Sequence, residues 1–170
     1  MIAPTLTTER LTLRMHSADD FDAYAALFMS DRAKYMGRAR DRQAAWYYFC
    51  ADIAEWAFFG HGCWTIDLTE TGAFIGQVGV AKRSHFPEIE LGWFLFEDHS
   101  GKGYAGEAAI AARAWAYDTL GLSTLVSYID PKNAPSRALA ERLGARLDPA
   151  ATPPEKGDLV YRHPTPQALR

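Results

Sequence analysis

The chain has 170 residues, about the length of one domain, and we expect a single domain over residues 1–170. Hydrophobic residues make up 48% of it and aromatic residues 13%, which excludes an intrinsically disordered protein. Its 18 Lys and Arg against 21 Asp and Glu give a net charge of −3, which argues against a nucleic-acid partner. No apolar run approaches the roughly 20 residues of a membrane span, so we expect no membrane partner either.

Targeting signals and cysteine usage both favour the cytoplasm. The first ten residues show no basic segment followed by an apolar stretch, as a secretion signal would. Cys50 and Cys63 form neither a CxxC pair nor a disulfide framework, which suits a reducing compartment. His61 and Cys63 lie two positions apart, but no second ligand pair accompanies them, so we expect no metal site.

The first half of the chain predicts one strand, two helices and a meander of three strands. Apolar and polar residues alternate over residues 10–15, as in a half-buried strand. A helix capped by Ser17 is expected to run to about Met29, and a second helix over residues 41–58. The apolar stripe of the second helix comprises Trp46, Phe49, Cys50, Ile53 and Ala57. The three antiparallel strands are expected at 63–68, 73–82 and 88–96.

In the second half, helices and strands alternate. A helix over 103–119 carries alanines on one face, and small side chains let a helix lie close to a sheet. The elements expected after it are a strand at 124–130, a helix at 135–143, a proline-containing loop at 148–157 and a strand at 158–163. We therefore predict an α/β fold with a mixed, mostly antiparallel sheet of about six or seven strands and about four helices.

The loop between the strand at 88–96 and the helix at 103–119 is the most informative segment. Glycines directly before a helix expose backbone N–H groups at the positive end of its dipole, where phosphate groups bind. Gly101, Gly103 and Gly106 match the GxGxxG dinucleotide fingerprint literally. The context disagrees, because residues 97–100 separate the strand from the first glycine and the preceding strands form a meander. A dinucleotide site is therefore the weaker interpretation.

Three segments resemble the GNAT superfamily of N-acetyltransferases. They are Glu90-Leu-Gly-Trp-Phe-Leu, Gly101-Lys-Gly-Tyr-Ala-Gly-Glu-Ala, and Asn133-x-x-Ser136 with Arg142-Leu-Gly-Ala. Within the superfamily, the chain is most similar to the branch that contains the ribosomal-protein N-terminal acetyltransferases, and the likeness covers nearly the whole chain. The resemblance implies a GNAT fold, in which the central sheet splays apart between two parallel strands, here those at 88–96 and 124–130.

The resemblance also implies acetyl-coenzyme A as the co-substrate. Its pyrophosphate would lie on backbone N–H groups of Gly101, Lys102, Gly103, Tyr104 and Ala105. Its pantetheine arm would pair like an added strand with Phe94, Leu95 and Phe96, where the N–H of Phe94 or Leu95 would stabilise the oxyanion. Asn133 would cap its helix and also bond the arm. Candidates for the 3′-phosphate are Lys102, Lys132 and Arg137.

The expected acceptor is a primary amine, which must lose its proton before it attacks. An α-amino group with a pKa of about 7.7–8.0 is roughly 10% neutral at pH 7, whereas a lysine amine is neutral less than about 0.1% of the time. Glu90 is the candidate general base, since it lies two residues before Gly92 on the strand that leads to the thioester, and Glu88 on the same face is the lesser candidate. Ser136 is the candidate hydroxyl that bonds the departing sulfur, as its place in related enzymes implies.

Two positions depart from the family pattern. The first position of the glycine motif, usually Gln or Arg, is Ser100, which removes a side-chain contact to the pyrophosphate. A catalytic Tyr of related enzymes corresponds to Ala140. A second hypothesis therefore stays open, in which the protein is an acyl-coenzyme A sensor that binds without turnover.

The acceptor and the oligomeric state have no signal in the sequence. Under the enzymatic hypothesis the acceptor is a protein N-terminus or a small-molecule amine such as a polyamine, an antibiotic or an amino acid. The protein is expected to be a monomer or a homodimer.

Overall fold

Residues 2–170, which the computed structural model describes, form one sheet surrounded by four α-helices. In chain order the strands are β1 (Leu6–Thr7), β2 (Leu11–Arg14), β3 (Cys63–Leu68), β4 (Phe74–Ala81), β5 (Glu90–Leu95), β6 (Val126–Ile129), β7 (Arg146–Leu147) and β8 (Leu159–Arg162). The helices are α1 (Phe21–Phe28), α2 (Arg42–Phe59), α3 (Tyr104–Asp118) and α4 (Ala134–Arg142). No helix in this part of the chain is long and apolar enough to cross a membrane.

The sheet has the strand order β1-β2-β3-β4-β5-β6-β8-β7. Every neighbouring pair is antiparallel except β5 and β6, which are parallel. The predicted α/β architecture is confirmed, since the six predicted strands and the four predicted helices all form. The strands β1 and β7 were not predicted, because each has two residues and alternation needs a longer run to be recognised.

Helix α3 packs on the sheet through its small residues. Ala108, Ala109, Ala112 and Ala116 are fully buried, in one cluster with core side chains of β2 to β5. The predicted alanine face is thus confirmed. Because alanine combines the highest helix propensity with the smallest bulk of the helix-forming residues, this face stabilises the helix and lets it approach the strands closely.

The buried face of α2 differs from the predicted stripe. Trp46 is 44% exposed, whereas Trp56, which lies off the predicted stripe, is fully buried. The buried face also carries two carboxylates, Asp52 and Glu55. Both pair with the guanidinium of Arg83, in the loop after β4, and this pairing offsets the cost of burying them. A stripe chosen by apolarity alone therefore selects only part of the buried face, since Phe49 is buried as predicted but Trp46 is not.

Strands β5 and β6 separate directly after they meet. Their one register pair joins Glu90 to Val126, so the sheet splays at the two predicted strands. Just beyond that pair, the Ser127 hydroxyl donates a hydrogen bond to the Leu91 carbonyl at 2.6 Å, where a backbone bond would otherwise form. A side chain thus fixes the point at which the splay begins.

A buried histidine supports this serine. His163 Nε2 lies 2.9 Å from Ser127 Oγ, and since the hydroxyl proton goes to the Leu91 carbonyl, the imidazole N–H is the donor. Its Nδ1 then accepts from Arg113 Nη1 at 3.3 Å. Burial, reinforced by the charge of Arg113, lowers the pKa of His163 to about 4, so the ring is neutral at physiological pH.

Ser127→Ala is expected to lower the free energy of unfolding by about 1–3 kcal/mol, because it leaves the Leu91 carbonyl and the His163 N–H buried without a partner. Urea denaturation followed by fluorescence measures the loss. Ser123 lies in the exposed turn before β6. Ser123→Ala removes a solvent-exposed hydroxyl and should change the free energy of unfolding by less than about 0.5 kcal/mol. Equal effects of the two substitutions would contradict the role given to Ser127.

Candidate active site

Two cavities open at the point where β5 and β6 separate. The long groove, of about 1480 Å³, is lined by the glycine loop, the first turns of α3 and the side of α4. The compact cavity, of about 520 Å³, is lined by β5, β6, α2 and the loop after β4. The residues that line both, here called the junction, are Tyr35, Met36, Trp93, Phe94, Asn133 and Ser136. Molecules bound in the two cavities would meet at the junction.

The glycine loop presents free N–H groups to the long groove. Gly101 and Gly103 have φ values of +78° and +84°, a left-handed backbone that favours glycine, and they turn the chain into α3. The Glu107 N–H donates to the Gly103 carbonyl at 3.1 Å. The N–H groups of residues 104–106 therefore have no acceptor within the helix. Free donors at the positive end of a 15-residue helix form an anion site.

An ion pair fixes the first turn of α3 against the N-terminal strands. The Glu107 carboxylate accepts hydrogen bonds from the Thr8 hydroxyl at 2.6 Å and the Arg10 N–H at 2.9 Å, and it pairs with the Arg10 guanidinium at 2.7 Å. Arg10 also donates to the Lys102 carbonyl at 3.1 Å. Burial opposes ionisation of Glu107, but the bonds from Thr8 and Arg10 outweigh it and hold its pKa below the usual value. The segment around Thr8 and Arg10 thus holds both sides of the glycine loop.

The predicted cofactor-binding residues divide into two groups. Those that line the long groove are Phe94, Leu95, Gly101, Gly103, Ala105, Asn133 and Ser136. The side chains of Phe96, Lys102 and Tyr104 lie outside it. Phe96 packs on Phe74 with ring centroids 4.8 Å apart, and Tyr104 lies under the Arg10 guanidinium at 4.6 Å. The Tyr104 side chain is thus held by Arg10, and the exposed Lys102 side chain does not line the groove in this structure.

The end of β5 has backbone groups that no strand pairs with. Successive residues of a strand direct their N–H and C=O groups to opposite sides. The Leu91 carbonyl accepts a bond from β6, and the Phe96 N–H donates to a residue of β4. By this alternation the backbone groups of Trp93 and Leu95 face the open side of the splay, whereas those of Phe94 face β4. Of the two candidate oxyanion donors, Leu95 is the one with an N–H on the open side.

Glu90 lies at the floor of the compact cavity, where the two strands part. Its Oε1 accepts a hydrogen bond from the Tyr128 N–H at 3.4 Å, and a Cβ on Gly92 would stand 3.3 Å from its Oε2. Burial raises the pKa of Glu90 to about 7, although the Tyr128 bond and the charge of Arg83 act in the opposite direction. A carboxylate with such a pKa can take up and release a proton at physiological pH, as a general base must.

Glu88, the lesser candidate for the general base, is placed less favourably. Both of its carboxylate oxygens accept bonds from the Arg162 guanidinium at 2.8 Å, which holds the pKa of Glu88 below its usual value, and its side chain lines neither cavity. Of the histidines near the site, His85 lines the compact cavity and His99 lines neither cavity.

Helix α4 brings two polar side chains to the junction. The Asn133 side chain caps the helix by accepting a hydrogen bond from the Ser136 N–H at 3.4 Å. Ala140, where related enzymes carry a catalytic Tyr, is fully buried. Among the candidates for the 3′-phosphate on this side, Lys132 lines the long groove, whereas Arg137 donates instead to β8 and the Pro131 carbonyl.

Carboxylates dominate the charged side chains that line the compact cavity. They belong to Asp52, Glu90, Asp130, Glu155 and Asp158. The single Arg or Lys in this lining is Arg83, and its charge is already met by Asp52 and Glu55. Burial and the neighbouring charges of Asp130 and Glu155 raise the pKa of Asp158, as expected where negative charges gather. The compact cavity therefore favours a positively charged ligand.

The segment between α1 and α2 contributes to the long groove, although no residue of this segment was predicted to bind the cofactor. Arg32, Tyr35 and Met36 belong to or directly follow the 3₁₀ helix Asp31–Tyr35, and all three line the long groove. No motif marks this segment, because Arg32 makes its side-chain contacts with residues more than sixty positions away, Leu95 and Ser100.

The long groove fits acetyl-coenzyme A. The free N–H groups at the start of α3 suit a pyrophosphate. The backbone groups at the end of β5 that pair with no strand suit the amides of a pantetheine arm, except the Leu95 carbonyl, which already accepts a bond from Arg32. The groove ends at the junction, where a thioester would face the compact cavity. Within residues 2–170, no group of three or more His, Cys, Asp or Glu side chains is arranged to hold a metal ion.

Comparisons with known proteins agree with this geometry. Residues 10–146 match the family described as acetyltransferase (GNAT) domain. The structure is similar to an acetyltransferase from Agrobacterium tumefaciens strain C58, with a TM-score of 0.92 and 52% identity over 96% of each chain. An uncharacterized N-acetyltransferase from Bacillus licheniformis, p20, is 29% identical over 150 residues, which cover 82% of this chain and 80% of that protein.

A third similar protein has a structure that was solved with a coenzyme derivative bound. Mycobacterium smegmatis RimJ, in complex with CoA-disulfide, has the same fold with a TM-score of 0.70 and 17% identity, over 94% of this chain and 83% of that one. The family match covers more than half of the chain and coincides with the strand, loop and helix that build the long groove. The chain therefore belongs to the GNAT family of acetyltransferases.

Proposed function

We propose that this protein transfers the acetyl group of acetyl-coenzyme A directly to a primary amine, on a protein N-terminus or a small molecule, within a ternary complex. The observation that carries the proposal is the junction. There a groove suited to the coenzyme meets a cavity whose floor is a carboxylate with a pKa of about 7. Acetyl transfer needs this arrangement of a thioester, an approaching nucleophile and a base.

The charge of the compact cavity supports an amine as the acceptor. Amines are mostly protonated at neutral pH, so they arrive as cations, and the carboxylates around the cavity attract them. The amine must then lose a proton to attack. Glu90 would accept that proton, because its carboxylate lines this cavity and is ionised above about pH 7.

Two further groups act on the thioester side. The N–H of Leu95, on the open side of the splay, would donate a hydrogen bond to the thioester oxygen as negative charge develops on it. The Ser136 hydroxyl at the junction would donate to the departing sulfur. A thiolate of pKa near 8.5 needs modest help to leave, so a hydroxyl suffices in place of a stronger acid.

The cysteines support direct transfer. Cys63 is buried beside Asp52, and burial, followed by the charge of Asp52, raises the pKa of its thiol well above the usual value, which suppresses the nucleophilic thiolate. Cys50 lines neither cavity. Both cysteines are free, which is consistent with the reducing cytoplasm where we expect the reaction to take place.

Calorimetry and a thiol-release assay test the proposal together. Acetyl-coenzyme A should bind, and free thiol should then appear with peptides bearing a free α-amine or with small primary amines, but not with a peptide whose amines are all blocked. Binding without thiol release on any amine of the panel would instead identify a sensor. Radiolabelled acetyl that stays on the protein after the coenzyme is removed would contradict direct transfer.

A further inference from the structure

An arginine from another part of the chain lies beside the motif position that lacks its usual side chain. Arg32 Nη2 donates to the Ser100 hydroxyl at 3.2 Å and to the Leu95 carbonyl at 3.0 Å. Arg32 lines the long groove together with Ser100, Gly101 and Gly103. Where the family carries Gln or Arg at the motif position itself, this chain has a serine with a guanidinium held against it.

The guanidinium of Arg32 keeps donors for a ligand. Its Nη2 makes both contacts just described, so the N–H groups on Nε and Nη1 are left. The nearest carboxylate oxygen, Glu97 Oε1, is 3.9 Å from Nη1, and the Glu97 side chain is 81% exposed. An exposed pair at that distance is weak and can yield to a better anion. The Arg32 side chain is itself 39% exposed, so a ligand in the groove can reach it.

We propose that Arg32 binds the pyrophosphate of coenzyme A and replaces, from the segment before α2, the side chain that position 100 lacks. The planar guanidinium matches pairs of phosphate oxygens, and it lies next to the glycine loop whose N–H groups face the same groove. The bonds to Ser100 and Leu95 hold the side chain in place, which lowers the entropy lost when the ligand binds. This inference rests on the proposed use of acetyl-coenzyme A.

Calorimetric titrations with three probes test the contact. Coenzyme A carries the pyrophosphate and the 3′-phosphate, dephospho-coenzyme A keeps only the pyrophosphate, and pantetheine has neither. Arg32→Ala should weaken binding of the first two by a similar factor of about 10- to 100-fold and leave pantetheine binding unchanged. Arg32→Lys keeps the charge but loses the planar guanidinium that can bind two phosphate oxygens at once. Its affinity for coenzyme A should fall between those of the wild type and Arg32→Ala.

Other outcomes overturn the assignment. Unchanged affinity for coenzyme A would exclude Arg32 as a ligand-binding residue. A loss seen with coenzyme A but not with dephospho-coenzyme A would place the contact at the 3′-phosphate, and an equal loss with pantetheine would show that Arg32 only shapes the groove. If the wild-type protein bound none of the three, the proposed function would fail and this inference with it, whereas wild-type binding that Arg32→Ala leaves unchanged would overturn this inference alone.

A rescue and a control complete the test. Ser100→Arg in the Arg32→Ala background should restore affinity for dephospho-coenzyme A to within about fivefold of the wild type, because it returns a guanidinium to the same place. Failure of this rescue, with the double variant folded by circular dichroism, would refute the replacement. Arg40→Ala removes a guanidinium that is 83% exposed and lies outside both cavities, and it should leave all three affinities unchanged.

Discussion

Glu90→Gln is expected to lower kcat by about 100- to 1,000-fold, because glutamine keeps the size of the side chain but cannot accept a proton. The affinity for acetyl-coenzyme A should stay within about twofold, since Glu90 lines the compact cavity and not the long groove. Steady-state thiol release and calorimetry measure the two quantities. Retention of more than about a third of the wild-type kcat would show that another group or a water chain removes the proton.

The pH profile separates the role of a base from a loss of packing. Because the pKa of Glu90 is raised to about 7, the wild-type kcat should fall as the pH drops below that value and the carboxylate becomes protonated. This fall in kcat below pH 7 should be absent in Glu90→Gln. The remaining pH dependence should then come from the titration of the acceptor amine itself. Glu70→Gln makes the same change in the exposed turn after β3, outside both cavities, and should leave both kcat and the profile unchanged.

The same substitution should stabilise the fold at high pH. The pKa of Glu90 is higher in the folded state than in the unfolded chain, so the protonated side chain contributes stability that is fully present below about pH 4.5 and lost as the pH rises through 7. The glutamine side chain does not ionise, so the variant does not lose stability as the pH rises. Its free energy of unfolding at pH 8 should exceed that of the wild type by roughly 1–3 kcal/mol, with a smaller gain at pH 5. Such a trade of stability for activity is typical of a catalytic carboxylate.

Local patterns predicted the parts of this fold that are determined locally. Alternation identified the strand at residues 10–15, and the glycines of the loop identified the start of α3, because a left-handed φ at Gly103 requires a residue without a side chain. The buried face of α2 was predicted only in part, because Asp52 and Glu55 are buried through a partner, Arg83, that is 31 positions beyond Asp52. A separation of 31 positions is too long for a local sequence pattern to reveal that pair.

The residues of the site divide in the same way into those that a local motif identifies and those that it does not. Glu90, Asn133 and Ser136 could be named in advance because a motif fixes their spacing along one strand and one helix. Arg32 could not, because its contact with Ser100 joins segments 68 positions apart and depends on how the chain after α1 folds over β5. Contacts of this kind are set by tertiary packing, and they require the structure.

Gly103→Val is expected to weaken binding of coenzyme A by at least about 100-fold. Gly103 has a φ of +84° at the N-cap of α3, and a β-branched residue is strongly disfavoured there. Relaxing that φ reorients the peptide groups at the start of the helix, so their N–H groups no longer converge on one anion. Calorimetry with coenzyme A measures the loss, and pantetheine, which lacks the phosphates, should be affected much less.

The matched control for this substitution is Gly72→Val. Gly72 has a φ of +70°, no atom lies within 4 Å of a Cβ built on it, and it occupies the turn between β3 and β4, outside both cavities. Both variants should therefore lose stability by a similar amount, about 1–2 kcal/mol or somewhat more for a β-branched residue. If Gly72→Val weakened coenzyme binding as much as Gly103→Val, the loss would reflect general destabilisation. Since the glycine loop is expected to bind through its backbone, the difference between the two variants measures how much of the affinity depends on the conformation of the loop.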